Sequence, residues 1–385
     1  MTKTQNRVLA GIFLAMIFGC TGASMLKPDM EFSEKENRVL AQMPRVNLSD
    51  ILNGTFEKNY ETYLSDQFFW RDKWIGVKTR AERAEGKTEI NDVYFAKDGY
   101  LIEKHSGSFD TDTARNNIRY LSNFLKTQAQ RYGDGHVKAM IIPNAVEILK
   151  EKLPKYAVAD EEGAYLSRIR AEVPEELLFD AEPILQAHKE EPLYYKTDHH
   201  WKTLASRYVY EAWAQSIDLP IVPLSQYQEK TLTDDFHGTI DAKVNIDLPG
   251  DTIESYQPLT EIPYTLTYNH TEERTSIYDE SYLAGRDKYA VFFGGNQPLI
   301  EAKSEAASDR RLLVIKDSYA NCFLSFAMQD FSQIDIVDLR YFNENLGDYM
   351  KEKDYTDILV LYNASGFAED VSVAKLALAS EQEGL

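Results

Sequence analysis

The chain has 385 residues, 43% of them hydrophobic and 27% charged, enough for one large domain or a domain with a smaller module. Its 42 Lys and Arg against 62 Asp and Glu give a formal net charge of −20. That excludes a general nucleic-acid binder, whose phosphate affinity needs clustered cations, but leaves a neutral glycan or a local basic patch open. Two cysteines exclude a disulfide framework and a zinc–cysteine fold.

Val8 to Leu26 carries no charge, and Lys3 and Arg7 precede it. The run is just long enough to span a membrane, while its strongly apolar part, Val8 to Phe18, has the length of a signal-peptide core. The basic flank predicts a cytoplasmic N-terminus and an exported remainder, on the extracytoplasmic face of the cell membrane. A cleaved signal, a retained anchor and lipidation at Cys20, after Ile17-Phe18-Gly19, all stay open. Residues 1–27 are thus signal or anchor, and 28–90 a linker followed by a helical segment. In that segment Phe56, Tyr60, Tyr63, Leu64, Phe68, Trp74 and Val77 can share one face of a helix from Ile51 to about Arg83.

Asp92 to Glu103 predicts a hairpin turning at Lys97-Asp98-Gly99. Thr113 to Tyr132 predicts a helix with an Ile118, Leu121, Phe124, Leu125 stripe. Short apolar runs then alternate with helical stretches: Val137 to Ile142, Leu177 to Asp180, Leu312 to Ile315, Ile334 to Leu339 and Ile358 to Tyr362. Such runs fit strands buried on both faces of a parallel sheet. Residues 91–225 and 311–385 read as two parts of one α/β domain. Residues 226–310 read as a mostly β insertion, with strands near Tyr264 to Tyr268 and Tyr289 to Phe293.

Two stretches carry chemistry. Leu312 to Asn321 reads strand, sharp turn, helix, with Ser318 at the turn, where a helix N-terminus can stabilise an oxyanion. Ser318 is equally a natural helix N-cap. A serine nucleophile needs a base held by a carboxylate, and Asp198 and His200 supply both, two residues apart. His199 and His200 offer only a weak metal pair, and no metal or other cofactor is expected.

The Thr197-Asp198-His199-His200-Trp201 run resembles the motif that names the DHHW family of bacterial exported proteins, itself similar to the SGNH-type alginate O-acetylation proteins. In those the Asp-x-His motif precedes the serine, the order Asp198, His200, Ser318 found here. The resemblance runs from about Glu36-Asn37-Arg38 through Asp66-x-Phe68-x-x-Arg71 to Asp338-Leu339-Arg340-Tyr341-Phe342. It implies an SGNH-like (flavodoxin-like) parallel sheet sandwiched by helices. It also implies an O-acetyltransferase that acetylates polysaccharide hydroxyls through an acetyl-Ser318, with a membrane-bound O-acyltransferase as acetyl donor. Lys316 replaces the glycine of the SGNH pattern. Asn144, Gly295 and Asn296 are candidate oxyanion donors or plain turn residues. Arg340 can bind substrate oxygen or pair with a sheet-end carboxylate. Trp201, with His199, braces the loop or faces a sugar ring, and Tyr319 is a candidate substrate contact. The same machinery with water as acceptor is a carbohydrate acetylesterase. The fold without the chemistry is a glycan-binding or assembly protein.

Overall fold

The computed structural model describes residues 2–33, 38–351 and 353–380, so Glu36 and Asn37 of the expected family pattern lie outside the described residues. The chain divides into two units, Met1–Ile90 with Asp241–Asp247, and Asn91–Ile240 with Leu248–Leu385.

The larger unit is built around the strand Arg311–Lys316. Leu312 and Val314 belong to one apolar core, Leu313 and Ile315 to another, so the run is apolar throughout because both its faces are covered. Val314 lies in parallel register with Ile336 of Gln333–Val337 and with Leu359 of Asp357–Asn363. Asp357–Asn363 in turn pairs in parallel with Val137–Ile142. The helix Asp112–Tyr132 lays the expected stripe of Ile118, Leu121, Phe124 and Leu125 into the second core. Its first turn is capped by the Thr111 hydroxyl, which accepts from Ala114 N at 3.0 Å.

The sheet is mixed, a correction to the parallel sheet expected. Leu299–Ser304 joins Gln333–Val337 antiparallel, and Tyr264–Tyr268 and Glu272–Arg274 follow antiparallel, which completes seven strands. All three come from the 226–310 stretch, which thus extends the main sheet. The same stretch holds a separate two-stranded ribbon, Tyr227–Phe236 with Asp251–Pro258. Two expected strands are absent as such. Leu177 to Asp180 makes one bridge, Leu178 to Ala139, because Pro174 and a 3-10 turn at Glu175–Leu177 occupy the approach. Tyr289 to Phe293 is a 3-10 turn, Lys288–Val291, followed by Phe293 at φ 60°. The hairpin forms as read, Val93–Phe95 against Leu101–Glu103.

In the smaller unit Lys3–Leu26 is one helix of 24 residues with mean hydropathy 2.0 in its most apolar window, and none of it is buried. It is long and apolar enough to cross a membrane, a test that a signal sequence near the N-terminus also meets. The single long helix expected after it is three: Leu48–Leu52, Thr55–Asp66 and Arg71–Ala84. Gly54 at φ 78° and Trp70 at φ 56° break it. The expected apolar face is not a core face, since Leu64, Phe68, Trp74 and Val77 are exposed. A polar hub takes its place: the Asp66 carboxylate receives both Arg38 guanidinium nitrogens, at 2.9 and 2.6 Å, and Ala41 N at 2.9 Å.

Candidate active site

The turn after Arg311–Lys316 is fixed by a buried carboxylate. Asp317 accepts from Tyr319 N at 2.9 Å, Asn363 N at 2.9 Å and Asn363 Nδ2 at 2.6 Å. It thereby clamps the turn to the end of the neighbouring strand. Burial pushes its carboxyl up to about 6, against the Arg340 charge and these donors. Ser318 follows at the carboxyl rim, half-buried, and the helix Ala320–Ala327 begins two residues later. That is the rim where parallel sheets place working residues.

The second half of the site is a tight loop. Tyr195 N donates to His200 O and Lys202 N to Leu193 O, which folds residues 195–201 back on themselves. Asp198 Oδ1 accepts from His200 N at 3.0 Å and lies 2.5 Å from His200 Nδ1. Its other oxygen accepts from Thr239 N at 2.9 Å. Across the loop, His200 Nε2 sits 2.8 Å from Ser318 Oγ. Asp198, His200 and Ser318 therefore form one hydrogen-bonded line. With the proton on Nδ1 facing Asp198, Nε2 is the acceptor facing the hydroxyl.

The electrostatics suit that tautomer. Burial by itself would raise Asp198, but the imidazoles of His199 and His200 and the Thr239 N–H outweigh it and hold the carboxyl well below the usual range. Burial, with His199 adding to it, pulls His200 down to about 4 against the opposing pull of Asp198. Both effects favour an ionised carboxylate beside a neutral imidazole. Asp198, His199 and His200 bring ligand-type atoms within 4.8 Å of one another. The His200 Nδ1–Asp198 contact is nevertheless a hydrogen bond, and His199 Nδ1 is engaged by Thr239 Oγ1 at 3.0 Å.

The other candidates from sequence are placed differently. Trp201 and Tyr319 are fully buried, so Trp201 takes the bracing role and Tyr319, a candidate substrate contact, joins it. Trp201 Nε1 donates to Tyr319 O at 2.8 Å and Tyr319 Oη to His199 O at 2.5 Å, so both brace the nucleophile turn against the histidine loop. Asn144 is no free oxyanion donor: its Nδ2 is spent on Tyr319 Oη at 3.2 Å and Asn363 Oδ1 at 3.1 Å. Gly295 N–H is taken by Phe292 O, and Asn296 Oδ1 accepts from Lys316 Nζ at 3.2 Å. Arg340 forms a fork on Asp338, at 2.8 and 2.6 Å, with its side chain about a third exposed. Lys316 is buried, donates to Asn321 Oδ1 at 2.8 Å and lies 3.8 Å from Asp338 Oδ2. Burial takes its amine down to about 8, with Asp338 opposing.

Three groups escape a reading of the sequence. Tyr289 stacks on His200, Thr239 holds Asp198, and Asp251 accepts from Lys196 N, Thr197 N and Thr197 Oγ1 to shape the loop. Gly238, by contrast, is a signal that a sequence can carry: a Cβ there would run into the Asp198 side chain.

Fold and site together define an α/β protein with a Ser–His–Asp constellation on the carboxyl rim of its parallel strands. The match to a family model is specific. Residues 108–337 fit the model described as DHHW protein, and the chain belongs to that family; Asp198-His199-His200-Trp201 is its motif here. Among solved structures, a DHHW family protein from Eubacterium siraeum is 24% identical with TM-score 0.62, over 74% of this chain and 95% of that one. Bacillus cereus PatB1 is 19% identical with TM-score 0.58, over 71% of this chain and 97% of that one. The same protein with a sulfonyl adduct is 21% identical with TM-score 0.57, over 74% and 99%. These likenesses establish the fold. No match was found among curated proteins.

Proposed function

We propose that this protein is an exported, membrane-anchored acyl-transfer enzyme that moves an acetyl group onto polysaccharide hydroxyls through an acetyl-Ser318 intermediate. The observation that carries the reading is the line from Asp198 through His200 to Ser318, at 2.5 and 2.8 Å. Ser318 Oγ attacks the acetyl carbonyl while Nε2 takes its proton. The N-terminal end of Ala320–Ala327 favours the oxyanion. Collapse expels the donor's leaving group, which departs with the proton from Nε2. The acceptor hydroxyl then gives its proton to Nε2 and attacks the acetyl-serine, and Oγ recovers the proton as it leaves. Asp198 holds the imidazole in the required tautomer and stabilises its charged form. The apolar helix Lys3–Leu26 supports a location at the outer membrane face. Acetyl delivery there calls for a partner, for which we take a membrane-bound O-acyltransferase.

The test is acetyl release from p-nitrophenyl acetate by wild type and Ser318→Ala, with mass spectrometry of the Ser318 peptide. Release, an acetylated Ser318 and loss of both in the variant are expected. If the wild type shows no acetyl release and no acetylated Ser318, the reading is defeated. Because the Bacillus cereus relative has been captured with a sulfonyl adduct, a sulfonyl fluoride is the natural trapping reagent. Direction is read in cells: deletion lowers glycan acetylation for a transferase and raises it for an esterase.

A further inference from the structure

We propose that the Phe68-Phe69-Trp70 loop and the exposed face of Arg71–Ala84 behind it rest on the lipid headgroup and upper acyl region of the outer leaflet, as an interfacial foot beside the N-terminal helix. The inference rests on that helix being retained as a span.

The position of the loop is fixed by the chain itself. Phe69 N donates to Ser24 Oγ at 3.0 Å, two residues before the helix ends at Leu26. The residues just after the helix are tied to the same place. Met30 N donates to Gln67 Oε1 at 2.9 Å, Gln67 Nε2 returns to Met30 O at 2.8 Å, and Tyr63 Oη donates to Asp29 at 3.1 Å. At about 1.5 Å of rise per residue, the loop is level with the last turn of the helix. If the helix spans, that level is the membrane interface.

The residues held there are those an interface selects. Trp74, 36% exposed, and Val77 share one side of Arg71–Ala84, and Trp70, 58% exposed, stands just before its first turn. Phe69 and Trp70 stack with centroids 4.5 Å apart. Trp70 adopts φ 56°, a left-handed conformation costly for a bulky side chain, and this presents a large apolar ring outward. Lys73 Nζ lies 4.7 Å from the Trp70 ring centre. In a chain of net charge −20, Arg71–Ala84 carries five Lys or Arg against two Asp or Glu. Indole rings at headgroup depth, flanked by cations and continuous with an apolar helix, match the aromatic belt of membrane proteins.

The test uses the full chain in vesicles of phosphatidylethanolamine and phosphatidylglycerol, with and without a lipid bearing a nitroxide on its acyl chain near the glycerol. Of the four tryptophans, Trp201 and Trp213 are at most 1% exposed, so Trp70 and Trp74 are the reporters. The nitroxide lipid is expected to quench roughly half of the emission. The Trp70→Phe/Trp74→Phe variant is expected to stay in the vesicles and lose that quenchable fraction. Intact mass of protein purified from cell membranes is measured first. Loss of residues 1–26 overturns the retained anchor and this proposal together. An intact, vesicle-inserted chain whose emission ignores the nitroxide overturns the proposal alone. Capture of one discrete polypeptide by a photo-crosslinker at position 70 in native membranes, with no quenching in vesicles, does the same in favour of a protein partner.

Discussion

The ring of Tyr289 lies flat on the imidazole of His200, 3.8 Å between centroids with 16° between planes, and its hydroxyl donates to Ser318 O at 3.3 Å. One side chain thus touches both the base and the backbone of the nucleophile. The stack stops the imidazole from tilting away, and the hydroxyl holds the turn. Tyr289→Phe keeps the ring and loses the hydroxyl's bonds to Ser318 O and the Cys322 thiol, so kcat on an ester substrate should fall by no more than about 3-fold. Tyr289→Ala removes the support for the imidazole and should cost about 10-fold or more in kcat, with less effect on KM. Steady-state kinetics beside a thermal melt checks the pair. Equal losses in both variants, tracking Tm, would reduce Tyr289 to a packing residue.

The triad members act as one device, so their removal should be far from additive. Ser318→Ala and His200→Ala should each lower kcat by about 10³-fold or more, and the double variant should be little worse than either. Asp198→Asn turns a hydrogen-bond acceptor toward Nδ1 into a group that can present a donor, which favours the wrong tautomer. It should approach the same loss while the fold persists. Single-turnover acetylation of Ser318 by mass spectrometry reads each case.

Burial and His199 hold His200 at about 4 rather than near 6.5. The base works when neutral, hence above its pKa, so kcat/KM should stay level on acidification to about pH 5 and fall below that. His199→Gln removes one of the influences that lower His200. Its acid limb should therefore move to higher pH, by about half a unit to one unit. A wild-type limb near 6.5 that ignores His199→Gln would contradict this.

The three central members of the site are legible in the sequence because their signals are local. Asp198 and His200 are two residues apart, and Ser318 follows a wholly apolar strand. Their supports are not. Thr239 opens the short helix Thr239–Val244 and Tyr289 sits in a 3-10 turn, and Thr239 meets Asp198 across 41 residues, with no periodicity to betray it. Asn144, Gly295 and Asn296 show the converse. Each is the right residue type for an oxyanion donor, but a sequence cannot tell whether an N–H is already spent, and for Asn144 and Gly295 it is. The parallel strands announce themselves by continuous apolar runs. Of the antiparallel extension only Tyr264–Tyr268 reads as a strand; that it joins the main sheet through Leu299–Ser304 is set by pairing between distant segments, which no local pattern encodes.

Asp338 is fully buried between Lys316 Nζ at 3.8 Å and the Arg340 fork. Removing the carboxylate strands a buried ammonium group. Asp338→Ala should therefore cost about 3 kcal/mol of stability, seen as a lower urea midpoint. Lys316→Met leaves Asp338 still paired with Arg340 and should cost clearly less. Comparable losses would show that Lys316, not Asp338, organises the cluster.

Gly238 has no room for a side chain, because a Cβ would overlap Cβ and Oδ2 of Asp198. Its N–H donates to Thr197 Oγ1 at 3.2 Å, and the next residue's N–H holds Asp198 Oδ2 at 2.9 Å. Gly238→Ala must therefore push either the Thr239 segment or the Asp198 carboxylate, and the carboxylate sits 2.5 Å from His200 Nδ1. A shift of about 1 Å at such a group can cost on the order of 100-fold in rate. The expected outcome is a kcat reduced by about 10-fold or more. The acid limb of the pH profile should fall to lower pH as His200 loses the partner that raises its pKa. Gly107→Ala, where a Cβ meets nothing within 4 Å but φ is 74°, is the control for glycine strain alone. It should lower stability slightly and leave kcat unchanged. If Gly238→Ala behaves like Gly107→Ala in both kcat and pH profile, the carboxylate tolerates displacement and its geometry is not what sets the rate.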